Sequence, residues 1–79
     1  MMLADLLAQT TDILNREMPE GWTHTARATK NLIHVTATTP GTAGMYRMQT
    51  NTLDDVREFI AMCQMFAHRH RAITGADAE

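Results

Sequence analysis

The sequence predicts a two-layer α+β domain of order α-β-β-β-α, in which two helices pack on one face of a three-stranded antiparallel meander. Two stretches with apolar residues at helical spacing flank a middle stretch that alternates every second residue and is rich in threonine. Short turn signals divide the middle stretch, and consecutive strands joined by short connections usually pair as neighbours. With 79 residues there is room for one core, so we expect one domain over residues 1–79.

The first helix is predicted over residues 3–17. Its apolar residues recur with the period of an amphipathic helix, and polar residues occupy the other side. Pro19 and Gly21 follow the last periodic residue and provide the stop signal. The apolar stripe consists of Leu3, Leu6, Leu7, Ile13 and Leu14.

Three strands are predicted over residues 22–29, 32–39 and 45–50. Lys30 and Asn31 form a short turn between the first two, and in the next turn Pro40 fixes one residue while Gly41 supplies a positive φ. Each strand has one more apolar face, which we expect to be inward. If Ile33 and Val35 face inward, the outward residues include His34, Thr36, Thr38 and Arg47, joined by Arg27 or its neighbours depending on the register.

The last helix is predicted over residues 53–71, with Gly75 as a later stop signal and a frayed tail over 75–79. Thr52 can cap its start, and Asp55 three residues later forms an acidic variant of the capping box. Asp54 also lies favourably at the positive end of the helix dipole. One face is marked by Val56, Phe59, Ile60, Cys63, Phe66, Ala67 and His70.

Charge is distributed unevenly along the chain. The formal net charge is −2, which disfavours a general nucleic-acid binder. All nine acidic residues lie before Gly21 or after Leu53, and the stretch between them holds Arg27, Lys30 and Arg47. The middle of the chain is therefore basic and its flanks are acidic.

The residues offer little for catalysis, and we expect neither enzymatic activity nor a cofactor. The chain has no serine, and Cys63 lies in the middle of an apolar helix face, where a thiol is a small buried residue. Helix capping explains Asp54 and Asp55. Gly41 and Gly44 join strands, whereas a phosphate-binding loop leads into a helix.

Four histidines and one cysteine raise the question of a metal site. His68 and His70 are two residues apart and point to different sides of a helix. Cys63 and His70 could share a face, but a tetrahedral site would then need both His24 and His34 from the sheet. We expect no metal site.

The run from His68 to Arg71 allows two interpretations. His68, Arg69 and Arg71 form a basic patch that could bind phosphate. The same cations lie in the last turn of the predicted helix, where they complement the negative end of the dipole. We retain the patch as a secondary candidate site.

We expect a cytoplasmic protein. The single cysteine cannot form an internal disulfide, which small secreted domains commonly need, and the first residues lack the basic start of a signal peptide. No apolar run approaches the length of a membrane span. Of the seven methionines, Met62 and Met65 lie beside the main stripe of the last helix, where they suit either gap filling or an adaptable contact surface.

The element order resembles that of the double-stranded-RNA-binding domain, whose length is also similar. That family has a lysine cluster at the start of its last helix and a histidine-bearing loop between its first two strands. This chain instead has Leu53, Asp54 and Asp55 at the helix start and a short turn from Thr29 to Asn31. The resemblance is thus one of topology, which carries no function by itself.

These observations favour a non-enzymatic interaction module that binds and occludes or modulates a partner protein. Small inhibitors of host defence complexes from phages or mobile elements, such as anti-CRISPR proteins, are one such class. The alternative is a nucleic-acid-binding domain that uses the acid-free sheet face, and a homodimer could form through a sheet edge or the methionine-bearing helix face. The candidate partner-binding residues are Arg27, Lys30, His34, Thr36, Thr38 and Arg47.

Overall fold

The computed structural model describes residues 2–41 and 44–74, with side chains described in 2–41 and 44–69. It confirms the predicted order, with both helices packed against the sheet. The predicted tail over 75–79 lies outside the described residues, as do the side chains of His70 and Arg71. The elements are α1 (Leu3–Glu17), β1 (Thr23–Thr29), β2 (Leu32–Thr38), β3 (Met45–Thr50) and α2 (Leu53–Thr74).

Three boundaries differ from the prediction by one to three residues. β1 begins after Trp22, because the Trp22 N–H donates to the carbonyl of Pro19 (3.2 Å) and this residue belongs to the turn. β2 ends before Thr39, whose N–H and hydroxyl both donate to the Gly44 carbonyl, at 3.0 and 2.9 Å, and close the loop to β3. α2 continues past the predicted end at residue 71 to Thr74, directly before the stop signal.

The sheet is an antiparallel meander in the order β1-β2-β3. On the inner face Ala26 lies opposite Val35, which lies opposite Met48. At the two turns the backbone takes a positive φ, +53° at Lys30 and, as predicted, +73° at Gly41. Since glycine accepts this conformation at no steric cost and lysine does not, the first turn is the strained one.

The core fills the space between the inner sheet face and the two helices. α1 lies mainly over β1, and α2 packs against β3 and α1. The Gln64 amide donates to the carbonyl of Glu17 (2.9 Å), which joins the helices and satisfies a carbonyl at the end of α1. The buried apolar residues are Leu6, Ile13, Leu14, Ile33, Val35, Ala37, Val56, Phe59, Ile60 and Cys63.

Three aromatic rings close one side of this core. Tyr46 stacks on Trp22, with ring centroids 6.1 Å apart, and contacts Phe66 at 5.1 Å. Trp22, Tyr46 and Phe66 are all half-buried. Tyr46 projects from the inner side of β3, so these rings belong to the core side of the sheet and leave its outer face to other residues.

Candidate functional site

The outer face of the sheet carries the candidate site. Alternate residues of each strand point away from the helices, and every one of these positions is described. None of them is acidic, and the aromatic ring among them is the imidazole of His34. The outer residues are Thr23, Thr25, Arg27 and Thr29 of β1, Leu32, His34, Thr36 and Thr38 of β2, and Met45, Arg47 and Gln49 of β3.

A shallow, open groove crosses this face between two arginines. Arg27 pairs with His34 across β1 and β2, and Thr36 pairs with Arg47 across β2 and β3. The arginines therefore lie on a diagonal, with Cα atoms about 12 Å apart by strand spacing and rise. The groove is lined by Thr25, Arg27, His34, Val35, Thr36, Met45, Arg47, Met48 and Gln49.

Both groove arginines are exposed, and neither forms an ion pair with a side chain that the structure describes. Among the side chains that the structure describes, the one ion pair joins Arg16 to Asp12 within α1, at 3.0 Å. The guanidinium groups of Arg27 and Arg47 consequently retain their planar sets of donors. Such groups bind carboxylates and phosphates in a bidentate manner.

His34 lies between the arginines and is held by a neighbour on the same face. Its Nε2 forms a hydrogen bond with the Thr29 hydroxyl. With Nε2 engaged, Nδ1 is the ring nitrogen left for a ligand. The hydroxyl groups of Thr25 and Thr36, which are opposite each other in the register, add donors and acceptors beside it.

The structure brings together four of the residues selected from the sequence, namely Arg27, His34, Thr36 and Arg47. Lys30 lies in the exposed turn beyond β1, and Thr38 shares the outer face without lining the groove. His68 and Arg69 are exposed on α2, which packs on the opposite face of the sheet. The secondary patch with Arg71, whose side chain is outside the description, is thus separate from the groove.

Five of the nine groove residues were missing from the sequence-based selection. Two of them, Val35 and Met48, have inward parity, and the other three are Thr25, Met45 and Gln49. These three have the same outward parity as the selected residues of their own strands. The alternation of strand residues already indicated that these three side chains point outward. The candidates chosen from the sequence were mainly the cations and the threonines of β2. The register was needed to show that Thr25 is beside Thr36 and that Gln49 is beside His34.

The histidines and Cys63 are dispersed. His24 points toward α1, where its Nε2 is 3.0 Å from Asn15 Oδ1, whereas His34 is on the outer face. Cys63 is fully buried, and loss of hydration raises the pKa of its thiol to about 11. Within residues 2–41 and 44–69 no group of three His, Cys, Asp or Glu side chains could hold a metal ion.

In the described part of the chain, neither helix has the length and apolar character of a membrane span.

A scan against models of protein families, a search of curated proteins and a search of solved structures each returned no match.

Proposed function

We propose that this chain is a non-enzymatic binding module that uses its outer sheet face to cover an acidic surface on a partner protein. The groove between Arg27 and Arg47 is the observation that carries the proposal. Two unpaired guanidinium groups flank it, and no acidic residue lies on the same face. Complementary charge steers association and suppresses contact with basic partners.

A protein partner is favoured over nucleic acid by what the outer face lacks. Domains that bind single strands stack successive bases on aromatic side chains, and the outward strand positions, all of them described, include no Phe, Tyr or Trp and offer the imidazole of His34 alone. Duplex binding relies on many phosphate contacts, and this groove offers two arginines. Nucleic acid is the second candidate because the face is cationic.

Binding through an open face suits a protein that acts by occupying its partner's surface. The groove is open to solvent and exposes a broad row of strand residues. The mode of action that follows is modulation or inhibition of the partner by occlusion of its surface. Small inhibitors from phages or mobile elements act in this way. We place this activity in the cytoplasm, where the lone Cys63 remains reduced.

The test compares two charge-reversed double variants of the tagged chain. Arg27→Glu with Arg47→Glu changes the groove, and Arg57→Glu with Arg69→Glu makes the same change in charge on exposed positions of α2. We expect a protein retained stoichiometrically from native lysate by the wild type and by the α2 variant, and lost by the groove variant. Circular dichroism verifies that both variants fold.

Three results would count against the proposal. Capture that depends on Arg69 would transfer the site to the secondary patch on α2. Recovery of nucleic acid alone, released steeply by salt, would favour the second candidate. Light scattering that shows a homodimer of the wild type and a monomer of the groove variant would make the partner another copy. A dimer that persists in the groove variant, through the edges of β1 and β3 or through Met62 and Met65, would leave the groove free.

A further inference from the structure

The groove has a direction, set by an apolar side chain at one end. Met45 is 51% exposed and lies two residues before Arg47 on the same face of β3. Large apolar side chains with such exposure are few in the described part of the chain, where the others are Met2 and Met65. In order from β3 to β1, the outer face thus presents one apolar side chain, Met45, and then two cations, Arg47 and Arg27.

The register gives the spacing of these three side chains. Met45 and Arg47 are about 7 Å apart along β3. Met45 pairs with Thr38 and Thr38 with Thr23, four residues before Arg27. Across two strand spacings and four residues of rise, Met45 and Arg27 are about 17 Å apart, and Arg47 and Arg27 are about 12 Å apart, which is the length of about four residues of extended chain.

We propose that the groove binds an extended acidic segment of the partner protein, with an apolar residue on Met45 and carboxylates on Arg47 and Arg27. This inference rests on the proposed function and specifies its ligand. Side chains on one face of an extended chain are an even number of residues apart, so the acidic residues follow the apolar residue, in either chain direction, at the second and sixth positions beyond it. Each carboxylate accepts hydrogen bonds from one guanidinium group.

The floor of the groove favours an extended segment over a helix. Between the arginines lie the hydroxyl groups of Thr25 and Thr36 and the Nδ1 atom of His34. An extended chain has unpaired backbone N–H and C=O groups that can exchange hydrogen bonds with these side chains. A helix forms its backbone hydrogen bonds internally and docks through an apolar stripe. The side chains that point outward between the two cations are polar and offer no partner for such a stripe.

The experiment uses the full chain, labelled with ¹⁵N, and a synthetic heptapeptide probe. The peptide has leucine at its first position, glutamate at its third and seventh, and glycine or serine elsewhere. Its retro-sequence tests the opposite direction, a scrambled peptide tests spacing, and a peptide with glutamine in place of glutamate tests charge. Amide shifts in the two-dimensional spectrum report both the affinity and the residues contacted.

We expect one of the two directions to perturb the outer residues of β1, β2 and β3 and to bind at least about threefold more tightly than the scrambled peptide, the scale of one exposed ion pair. Arg27→Gln and Arg47→Gln should each weaken binding about threefold to fivefold. Met45→Ser should weaken it as well. Arg57→Gln, on α2, is the matched control and should leave affinity unchanged.

The inference is overturned if the glutamine peptide or the scrambled peptide binds equally well, or if the shifts map to α2. Tighter binding of a single-stranded oligonucleotide at the same residues would overturn it in favour of nucleic acid. If the peptides fail while capture of the partner still depends on Arg27 and Arg47, the ligand is wrong and the proposed function stands. If neither depends on these arginines, both are wrong.

Discussion

The hydroxyl of Thr50, the last residue of β3, donates a hydrogen bond to the Asp55 carboxylate in the first turn of α2, across 2.7 Å. The same hydroxyl accepts the N–H of Thr52 at 3.0 Å, and the Asp55 N–H donates to the Thr52 hydroxyl at 3.3 Å. Thr52 thus caps the helix as predicted. The carboxylate of Asp55, the acidic residue of the capping box, however, accepts from Thr50 instead of the backbone N–H of Thr52. This hydrogen bond joins the end of β3 to the start of α2.

Replacing Thr50 with valine should destabilise the chain. Thr50 is 3% exposed, and valine keeps its shape while leaving the Thr52 N–H without its acceptor. We expect a loss of about 1–3 kcal/mol in the free energy of unfolding, measured by urea denaturation. The matched control is Thr23→Val on the exposed outer face, and an equal loss there would contradict this role for Thr50.

Glycine at position 30 should stabilise the turn between β1 and β2. Lys30 has a φ of +53°, and a left-handed conformation costs a residue with a Cβ about 1 kcal/mol. Lys30→Gly should therefore raise the midpoint of thermal unfolding, with Lys30→Ala as the control that removes the charge but keeps the Cβ. A lower midpoint for the glycine variant than for the alanine variant would refute this account.

Truncation of Ile60 should unfold much of the population. Ile60 is 2% exposed in the layer between α2 and the sheet, and Ile→Ala in a packed core costs about 2–5 kcal/mol. A domain of this size has little stability to lose. We expect Ile60→Val to remain folded and Met65→Ala, at a half-exposed position, to be close to neutral, as read from circular dichroism during denaturation.

Stability should fall in alkaline solution because of Cys63. The pKa of its thiol rises from 9.0 to about 11 on folding, so the unfolded chain releases its proton first as the pH increases. Below pH 9 the thiol is protonated in both the folded and the unfolded chain, so its contribution to the free energy of unfolding is constant. Between pH 9 and 11 the free energy of unfolding should decrease by at most about 1.4 kcal/mol per pH unit through this group.

Cys63→Ala isolates that effect. Its stability should be lower near neutral pH, because a buried side chain is truncated, but its decline between pH 9 and 11 should be less steep than that of the wild type. Parallel slopes would show that other groups cause the alkaline loss. A thiol reagent at pH 8 should also label the wild type far more slowly in the native state than in urea.

Local pattern alone was sufficient for the elements and their faces. The helical period placed Leu6, Ile13 and Leu14 in the core, and the alternation of the strands put Ile33 and Val35 inward and Arg47 outward. These results follow because the spacing of apolar residues along a helix or strand is a property of the chain itself. The uneven distribution of acidic residues was likewise visible without coordinates.

The neighbours of each side chain depended on the pairing of strands that are far apart in the sequence. Arg27 and Arg47 are twenty positions apart, and nothing in their own strands indicates that they face each other diagonally across His34 and Thr36. Met45 shares a strand with Arg47, and its position relative to Arg27 likewise depends on the pairing of the strands. Hydrogen-bond pairing and turn geometry set that register, and a shift by one residue would invert every face. The polarity of the outer face is thus encoded locally, whereas the groove exists only in the assembled sheet.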